Sequence, residues 1–332
     1  ILGRFSMVRM TFMRLIPFLG VLGMACATTQ SEVRVLKLAH GLDVEHPVHH
    51  AMTYMADEVN RRSHGTLRVD IYPSEQLGSE REILELVQLG VIAMAKSSSA
   101  PIESFVPAMR VFGMPYLFRS SDHLWHVLEG PIGKEILEAG TARGLKGLCY
   151  YDAGARSFYT TTKPIRQPAD LIGLKIRVQK SVMAMDTIEV LGGSPTPIDW
   201  GELYTALDQG IVDGAENNSP SFFGSRHYEI SRHYSLDEHS RQPDVLVINP
   251  EIWESLLPFH RFVLREAVND SVTFQRELWA RTAAHNLASV ENAGVNVVRP
   301  DKQPFIDAVQ PLWTRYRASA IGVLVDRIQA VE

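Results

Sequence analysis

Cysteine is nearly absent from this chain: its 332 residues contain two, Cys26 and Cys149. Cys26 falls in an N-terminal segment that reads as a removable leader. Cys149 is then alone, which rules out an intramolecular disulfide. Its surroundings, Gly147-Leu-Cys-Tyr-Tyr151, are apolar and predict a buried, inert thiol. Excess positive charge is missing too. Lys and Arg number 33 against 38 Asp and Glu. Removing residues 1–27 takes away three arginines and no acid, leaving 30 basic residues and a net charge of −8. That argues against nucleic acid as a partner. There is no Gly-x-Ser-x-Gly, no phosphate loop and no dinucleotide glycine pattern. No catalytic constellation stands out and no cofactor is expected. Internal repeats, low-complexity tracts and long linkers are also missing.

Arg4, Arg9 and Arg14 precede the apolar run Leu15–Ala27, and no acid appears before Glu32. A charged start, an apolar stretch and Ala25-Cys-Ala27 form the pattern of a secretory signal over residues 1–27. The run is short of the roughly 20 residues a spanning helix needs. Lipidation at Cys26 is the rival, but Gly23 stands where a lipoprotein signal usually has Leu. The reading is a periplasmic protein exported by a cleavable signal. Charged residues make up 21% and apolar ones 45% of the chain, as in an ordinary soluble globular protein.

From Val33 onward, strand and helix patterns alternate. Strands are predicted at 33–39, 67–72 and 91–95, with helices at Pro47–Arg62 and 79–89 between them. This βαβαβ start implies parallel pairing with helices on both faces. Further strands are predicted at Gly147–Asp152, Leu174–Val178, Ile211–Ala215 and Asp244–Ile248. Ser181–Leu191 reads as a helix. Asp199 and Glu202 read as a capping box for a helix over Trp200–Gln209. After Pro258 a helical pattern runs to about Ala293, longer than one lobe is wide, and predicts a strut crossing both. A last amphipathic helix is predicted over Pro304–Val331. The fold class is α/β, with two mixed sheets flanked by helices in a two-lobed, periplasmic-binding-protein-like arrangement, joined by hinge strands and the strut. The expected organisation is residues 32–153 with 242–281 as lobe I and 154–241 with 282–332 as lobe II. Crossings are expected near Asp152–Gly154 and His239–Pro243.

Arg177 and Asn217 end two short apolar runs, Leu174–Val178 and Ile211–Asn217. Ends of strands in open α/β sheets are where ligands bind, and a guanidinium there is the natural bidentate partner of a carboxylate. The segments Tyr72-Pro-Ser-Glu-Gln-Leu-Gly78, Gly154-Ala-Arg-Ser-Phe-Tyr-Thr-Thr161, Asp170–Val178 and Pro195–Asn218 together make the chain from Leu36 to the final helix similar to the DctP-type solute-binding proteins of TRAP transporters. The resemblance implies that Arg177 binds the ligand carboxylate, that Asn217 supports it and that Arg156 reaches the same pocket. His40, His46-Pro-Val-His49, Gly78-Ser-Glu-Arg81, Trp200-Gly-Glu202, Glu216-Asn-Asn218 and Tyr234–His239 resemble the branch of the family that binds hexuronates such as glucuronate and galacturonate.

The other site residues each have two readings. Arg156 is a ligand contact or an interlobe salt bridge. Glu80 accepts sugar hydroxyls or complements a helix start. His40 is a ligand residue or a core and capping histidine; His239 is a ligand residue or a hinge element. Trp200 is a platform for a sugar ring or core. Ser98, within Ser97–Ser99, donates to ligand or sits in a plain loop, and Asn218 is an ordinary turn residue or a ligand neighbour. His46 and His50 share a helix face, but nothing completes a ligand set, so no metal is expected. The resemblance implies a monomer that closes its lobes on a sugar acid and hands it to TRAP membrane subunits. Binding of another organic acid (a C4-dicarboxylate or another sugar-derived acid), an exported sugar-acid enzyme, and a receptor feeding a sensor domain are the alternatives.

Overall fold

The computed structural model describes residues 1–3 and 33–332; residues 4–27 of the expected signal segment lie outside the described residues. Among the described residues eleven strands form two mixed sheets. The first contains β1 (Arg34–Ala39), β2 (Leu67–Tyr72), β3 (Met94–Ser98), β4 (Lys146–Tyr151) and β10 (Asp244–Ile248), in the order β2-β1-β3-β10-β4. The second contains β5 (Arg156–Thr160), β6 (Lys175–Val178), β7 (Ser194–Pro197), β8 (Gly214–Asn217), β9 (His233–Ser240) and β11 (Asn296–Val298), in the order β11-β9-β5-β8-β6-β7. β1 runs parallel to β2 and β3, as the alternating start predicts, whereas β10 inserts antiparallel between β3 and β4.

The chain passes from the first sheet to the second between β4 and β5, and returns between β9 and β10. At the first passage, Asp152 N donates to Gln275 Oε1 and Gln275 Nε2 donates to Asp152 O, both at 2.8 Å. Gly154 follows with φ +59°, and a Cβ there would meet the Trp279 ring at 3.1 Å. Glycine thus supplies both the left-handed turn and the close approach. Gln275 and Trp279 belong to the long helix, which spans Pro258–Asn292, 35 residues and about 52 Å at 1.5 Å per residue. Its first half packs Leu264, Ala267 and Val268 with Leu36 and Leu38 of the first sheet; near its end Val290 joins Tyr159 and Phe222 beside the second. It is the strut that its length implied.

Three expectations change. The final helix is three helices, Gln303–Ala308, Gln310–Arg317 and Gly322–Gln329. Pro311 lacks the N–H and the steric room needed to continue the first into the second. Trp200–Glu202 forms a 3-10 turn before the helix Leu203–Asp208, and Asp199 makes no capping bond; its carboxylate takes Lys180 Nζ at 2.6 Å. β3 starts three residues later than predicted and carries a charge, Lys96, through the middle of the sheet. Cys149 is buried, and burial pushes its thiol up to about 12.

Candidate functional site

The carboxyl ends of β1, β3 and β6, with the turn after β7, converge between the two sheets. One cavity there is lined by His46, Glu80, Lys96, Ser98, Arg156, Gln179, Trp200, Asn217, Ser221 and Asp244, and an adjoining one by Glu75, Arg177 and Asp199. Glu80, Gln179 and Trp200 face both. Of the residues expected from sequence, Arg177, Arg156, Asn217, Glu80, Trp200 and Ser98 are brought together here.

Arg177 is 2% exposed. Its Nε donates to Ile198 O at 2.8 Å, and its guanidinium lies 5.7 Å from the Trp200 ring. Nη1 is buried without a hydrogen-bond partner, and among the described residues no carboxylate lies within ion-pair distance of Arg177. Burial lowers the pKa of this group, partly offset by Tyr159 and Glu216. A buried guanidinium with its fork unpaired is costly unless an anion completes it.

Arg156 is the opposite case. Its Nε is paired with Glu216 Oε2, Nη2 donates to Glu216 Oε1 at 2.8 Å and to Glu216 O at 2.9 Å, and Nη1 donates to Asn217 Oδ1 at 3.1 Å. Four of its five N–H groups are thus committed. Its salt bridge lies within the second sheet, on the neighbouring strands β5 and β8, and does not join the lobes. The Arg156 bond and a second from Asn218 N at 2.9 Å orient the Asn217 amide with its oxygen inward. Its Nδ2 donates to no other described residue.

Glu216 is held from behind. His239 Nε2 approaches Glu216 Oε2 at 3.5 Å, and His239 Nδ1 donates to Asp237 Oδ2 at 2.8 Å. The ring stacks on Phe158, centroids 4.5 Å apart. Burial alone would lower the His239 pKa, but Asp237 and Glu216 raise it to about 9. Burial would raise Glu216, but Arg156 and His239 hold it at about 2. His239 is therefore a support one layer behind Arg156 and Glu216, not a lining residue of the two cavities. The expectation for His40 changes likewise. Its ring is buried, accepts from Leu42 N at Nδ1 and bonds His49 Nδ1 at 3.0 Å. Its neighbours Gly41 and Leu42 line the cavity instead.

The other wall comes from the first sheet. Lys96 is fully buried, 3.2 Å from Asp244 Oδ1 and 3.5 Å from Glu80 Oε1. Glu80 Oε1 also accepts from Ser98 N at 3.0 Å. Gln179, from the second sheet, receives Ser98 Oγ at 3.3 Å and donates to Glu80 at 3.4 Å. His46 accepts from Val48 N at Nδ1, so its proton sits on Nε2 and points at Ser221 Oγ, 3.3 Å away. Asn218 caps the helix Ser219–Gly224 by accepting from Ser221 N, and donates to Ala153 O. Sequence reading missed Lys96, Asp244, Gln179, Glu75, His46 and Ser221 as site residues. For the first two a signal existed: a lysine directly after the apolar run 91–95, and an acid opening the run 244–248. Among the described residues no cluster of three or more His, Cys, Asp or Glu is placed to hold a metal ion.

The site is thus a polar, charge-rich cleft with one incomplete guanidinium beside an aromatic ring, built to take an anion that also carries hydroxyl groups. Comparison with known proteins agrees. A chain from Xanthobacter autotrophicus Py2 is 40% identical with a TM-score of 0.86, covering 90% of this chain and all of that one; it is a TRAP periplasmic solute-binding protein with bound β-D-galacturonate. One from Roseobacter denitrificans, with bound β-D-glucuronate, is 36% identical with a TM-score of 0.87 and the same coverage. One from Polaromonas sp. JS666, bound to D-erythronate, is 32% identical with a TM-score of 0.87, covering 90% of this chain and 99% of that one. The DctP model, bacterial extracellular solute-binding protein, family 7, matches residues 38–319. The chain belongs to the DctP family of bacterial extracellular solute-binding proteins, the solute-binding components of TRAP transporters.

Proposed function

We propose that this protein captures a hexuronate, such as D-glucuronate or D-galacturonate, by its carboxylate and delivers it to the membrane subunits of a TRAP transporter. The observation that carries this reading is Arg177, a buried guanidinium with an unpaired Nη1 in the cleft. Asn217 and Arg156, on strands of the same sheet as Arg177, line the adjoining cavity. Trp200 offers a face for the sugar ring. Glu80, Ser98, Lys96 and Asp244 form the polar wall suited to hydroxyl groups, which both donate and accept. Residues 32–153 with 242–281 and residues 154–241 with 282–332 act as the two lobes. Contacts such as Gln179 with Glu80 and His46 with Ser221 exist only when the lobes are closed, so a ligand touching both walls shifts the open–closed equilibrium. The ligand is bound and released unchanged, without catalysis.

Thermal-shift measurements with hexuronates, D-erythronate, C4-dicarboxylates and neutral hexoses test this. At 100 times the dissociation constant a true ligand stabilises by about 2.7 kcal/mol. Glucuronate or galacturonate is expected to do so and glucose is not. Equal stabilisation by glucose would remove the carboxylate clamp as the anchor, and a larger shift with D-erythronate would move the assignment to a shorter sugar-derived acid.

The exported form is proposed to begin near Thr28 after cleavage at Ala25-Cys-Ala27. Intact mass of the periplasmic fraction is expected to match residues 28–332, and diacylglycerol on Cys26 would reverse the proposal.

A further inference from the structure

Tyr72-Pro-Ser-Glu-Gln-Leu-Gly78 places an acid where the geometry requires explanation. Ser74 and Glu75 are consecutive non-glycine residues in the left-handed region, at φ 53° and 57°. Such a conformation is unfavourable and persists only where the surroundings impose it. Here they do: Ser74 N donates to Leu42 O at 3.0 Å and Glu75 N to His40 O at 3.2 Å. The result aims the Glu75 side chain from the first sheet's side of the cleft at the second's. Its Oε2 accepts from Gly201 N at 3.1 Å. A Cβ at Gly201 would stand 2.5 Å from that same oxygen, so only glycine allows the approach. Its Oε1 is buried without a partner, and the side chain lines the same cavity as Arg177.

We propose that Glu75 is a latch between the lobes that gives up its negative charge when an anionic ligand takes Arg177, so that capture is coupled to uptake of one proton from solvent onto the Glu75 carboxylate. This rests on the carboxylate-binding reading above.

The charged groups facing Glu75 make the exchange necessary. Helix Glu80–Gln88 presents Glu80 and Arg81; Arg177 and Lys180 stand at and after β6; Asp199 opens the turn after β7. Arg81 is paired with Glu85 and Lys180 with Asp199. His40 is kept neutral, chiefly by burial, with a pKa lowered to about 2. Arg177 is then the one cation without a counter-ion among these groups, and a bound ligand carboxylate claims it. Two carboxylates near one guanidinium, with Glu80 and Asp199 adding repulsion, cannot both stay ionised at low cost. The shift already present agrees in direction: burial first, opposed by the Gly201 bond and reinforced by Glu80 and Asp199, raises Glu75 to about 7. In an open cleft the carboxyl returns toward its ordinary value near 4.5. Closure therefore binds a proton between those two values, and affinity falls as pH rises through the upper one.

Calorimetric titration of D-glucuronate at pH 7, in buffers of different ionisation enthalpy, measures the proton directly. The parent is expected to take up about half a proton or more, and to bind about ten-fold more weakly at pH 8 than at pH 6. Glu75→Gln keeps an acceptor for Gly201 N but cannot titrate. It is expected to bind without proton uptake, with the same affinity at pH 6 and pH 8, and more tightly than the parent at pH 6, whose open-cleft carboxylate must still take up the proton. Parent-level uptake in Glu75→Gln, or binding by the parent with no uptake, would overturn the coupling and leave the assigned ligand class intact. Failure of the parent to bind D-glucuronate, D-galacturonate or D-erythronate at any pH would overturn the functional reading, and the coupling with it.

Discussion

Replacing Arg177 with lysine is expected to weaken hexuronate binding by at least about ten-fold while leaving the unliganded protein folded. Lysine keeps the charge but loses the planar fork that meets a carboxylate with two parallel bonds. One buried carboxylate oxygen then lacks a donor, and a hydrogen bond to a charged group contributes about 1.5–3 kcal/mol, where each 1.4 kcal/mol is ten-fold in affinity. The fold has little to lose. Within the protein the guanidinium makes a single hydrogen bond, to Ile198 O, while Nη1 has none. The melting temperature without ligand should therefore move by no more than about 3 °C. Titration calorimetry of variant and parent decides the matter, and parent-like affinity would remove Arg177 from the site.

Glu216→Ala is expected to do the reverse and damage the fold itself. It leaves the Arg156 guanidinium, 4% exposed, without its paired carboxylate and deprives His239 of one of two anionic neighbours. Removing one partner of a buried pair costs about 3–5 kcal/mol, a fall in melting temperature on the order of 10 °C. The pH profile identifies the cause. Glu216 is depressed to about 2, so its contribution is full above the ordinary carboxylate value near 4.5 and is lost as pH falls through about 2. His239 is raised to about 9, so its contribution is full below 6.5 and is lost as pH rises through about 9. The parent should lose stability between pH 6.5 and 9, and the variant less steeply, because His239 then has Asp237 alone. Melting curves by circular dichroism across pH 5–9.5 measure both effects. A variant melting within 2 °C of the parent at pH 7 would mean that Glu216 does not hold Arg156 in place.

These two arginines show what was legible. Each lies in a motif the chain displays openly, and both reach the cleft. Their division of labour was not visible, because it depends on Glu216 pairing with Arg156 and on no carboxylate among the described residues lying within ion-pair distance of Arg177. His239 was misplaced for a related reason. Its strand, β9, is polar along most of its length, and its pairing with β5 shifts register between Arg156 and Phe158. A single slip of register sends a side chain to the other face of a sheet, so residue type could not say whether the ring met ligand or Phe158. β10 was read at its observed limits, because an unbroken apolar run between sheet neighbours has one interpretation. β3 was read three residues too early, because Lys96 resembles the start of a loop until Asp244 and Glu80 are placed against it.

By itself the sequence determined the alternation of strand and helix, the long strut, the passages between two sheets, and a guanidinium at a strand end suited to a carboxylate. Local periodicity, turn residues and motif spacing carry those features, and they act over a few residues. The tertiary structure alone decided which charges neutralise one another. Lys96 meets Asp244 across 148 positions of chain, Arg156 meets Glu216 across 60, and Glu75 meets Gly201 across 126. A buried charge is settled by whichever partner the fold brings within a few ångströms, and separations of that length leave no trace in local pattern. That is why the two arginines at the cleft were readable in advance, while the acid that shares the cleft with Arg177 was not.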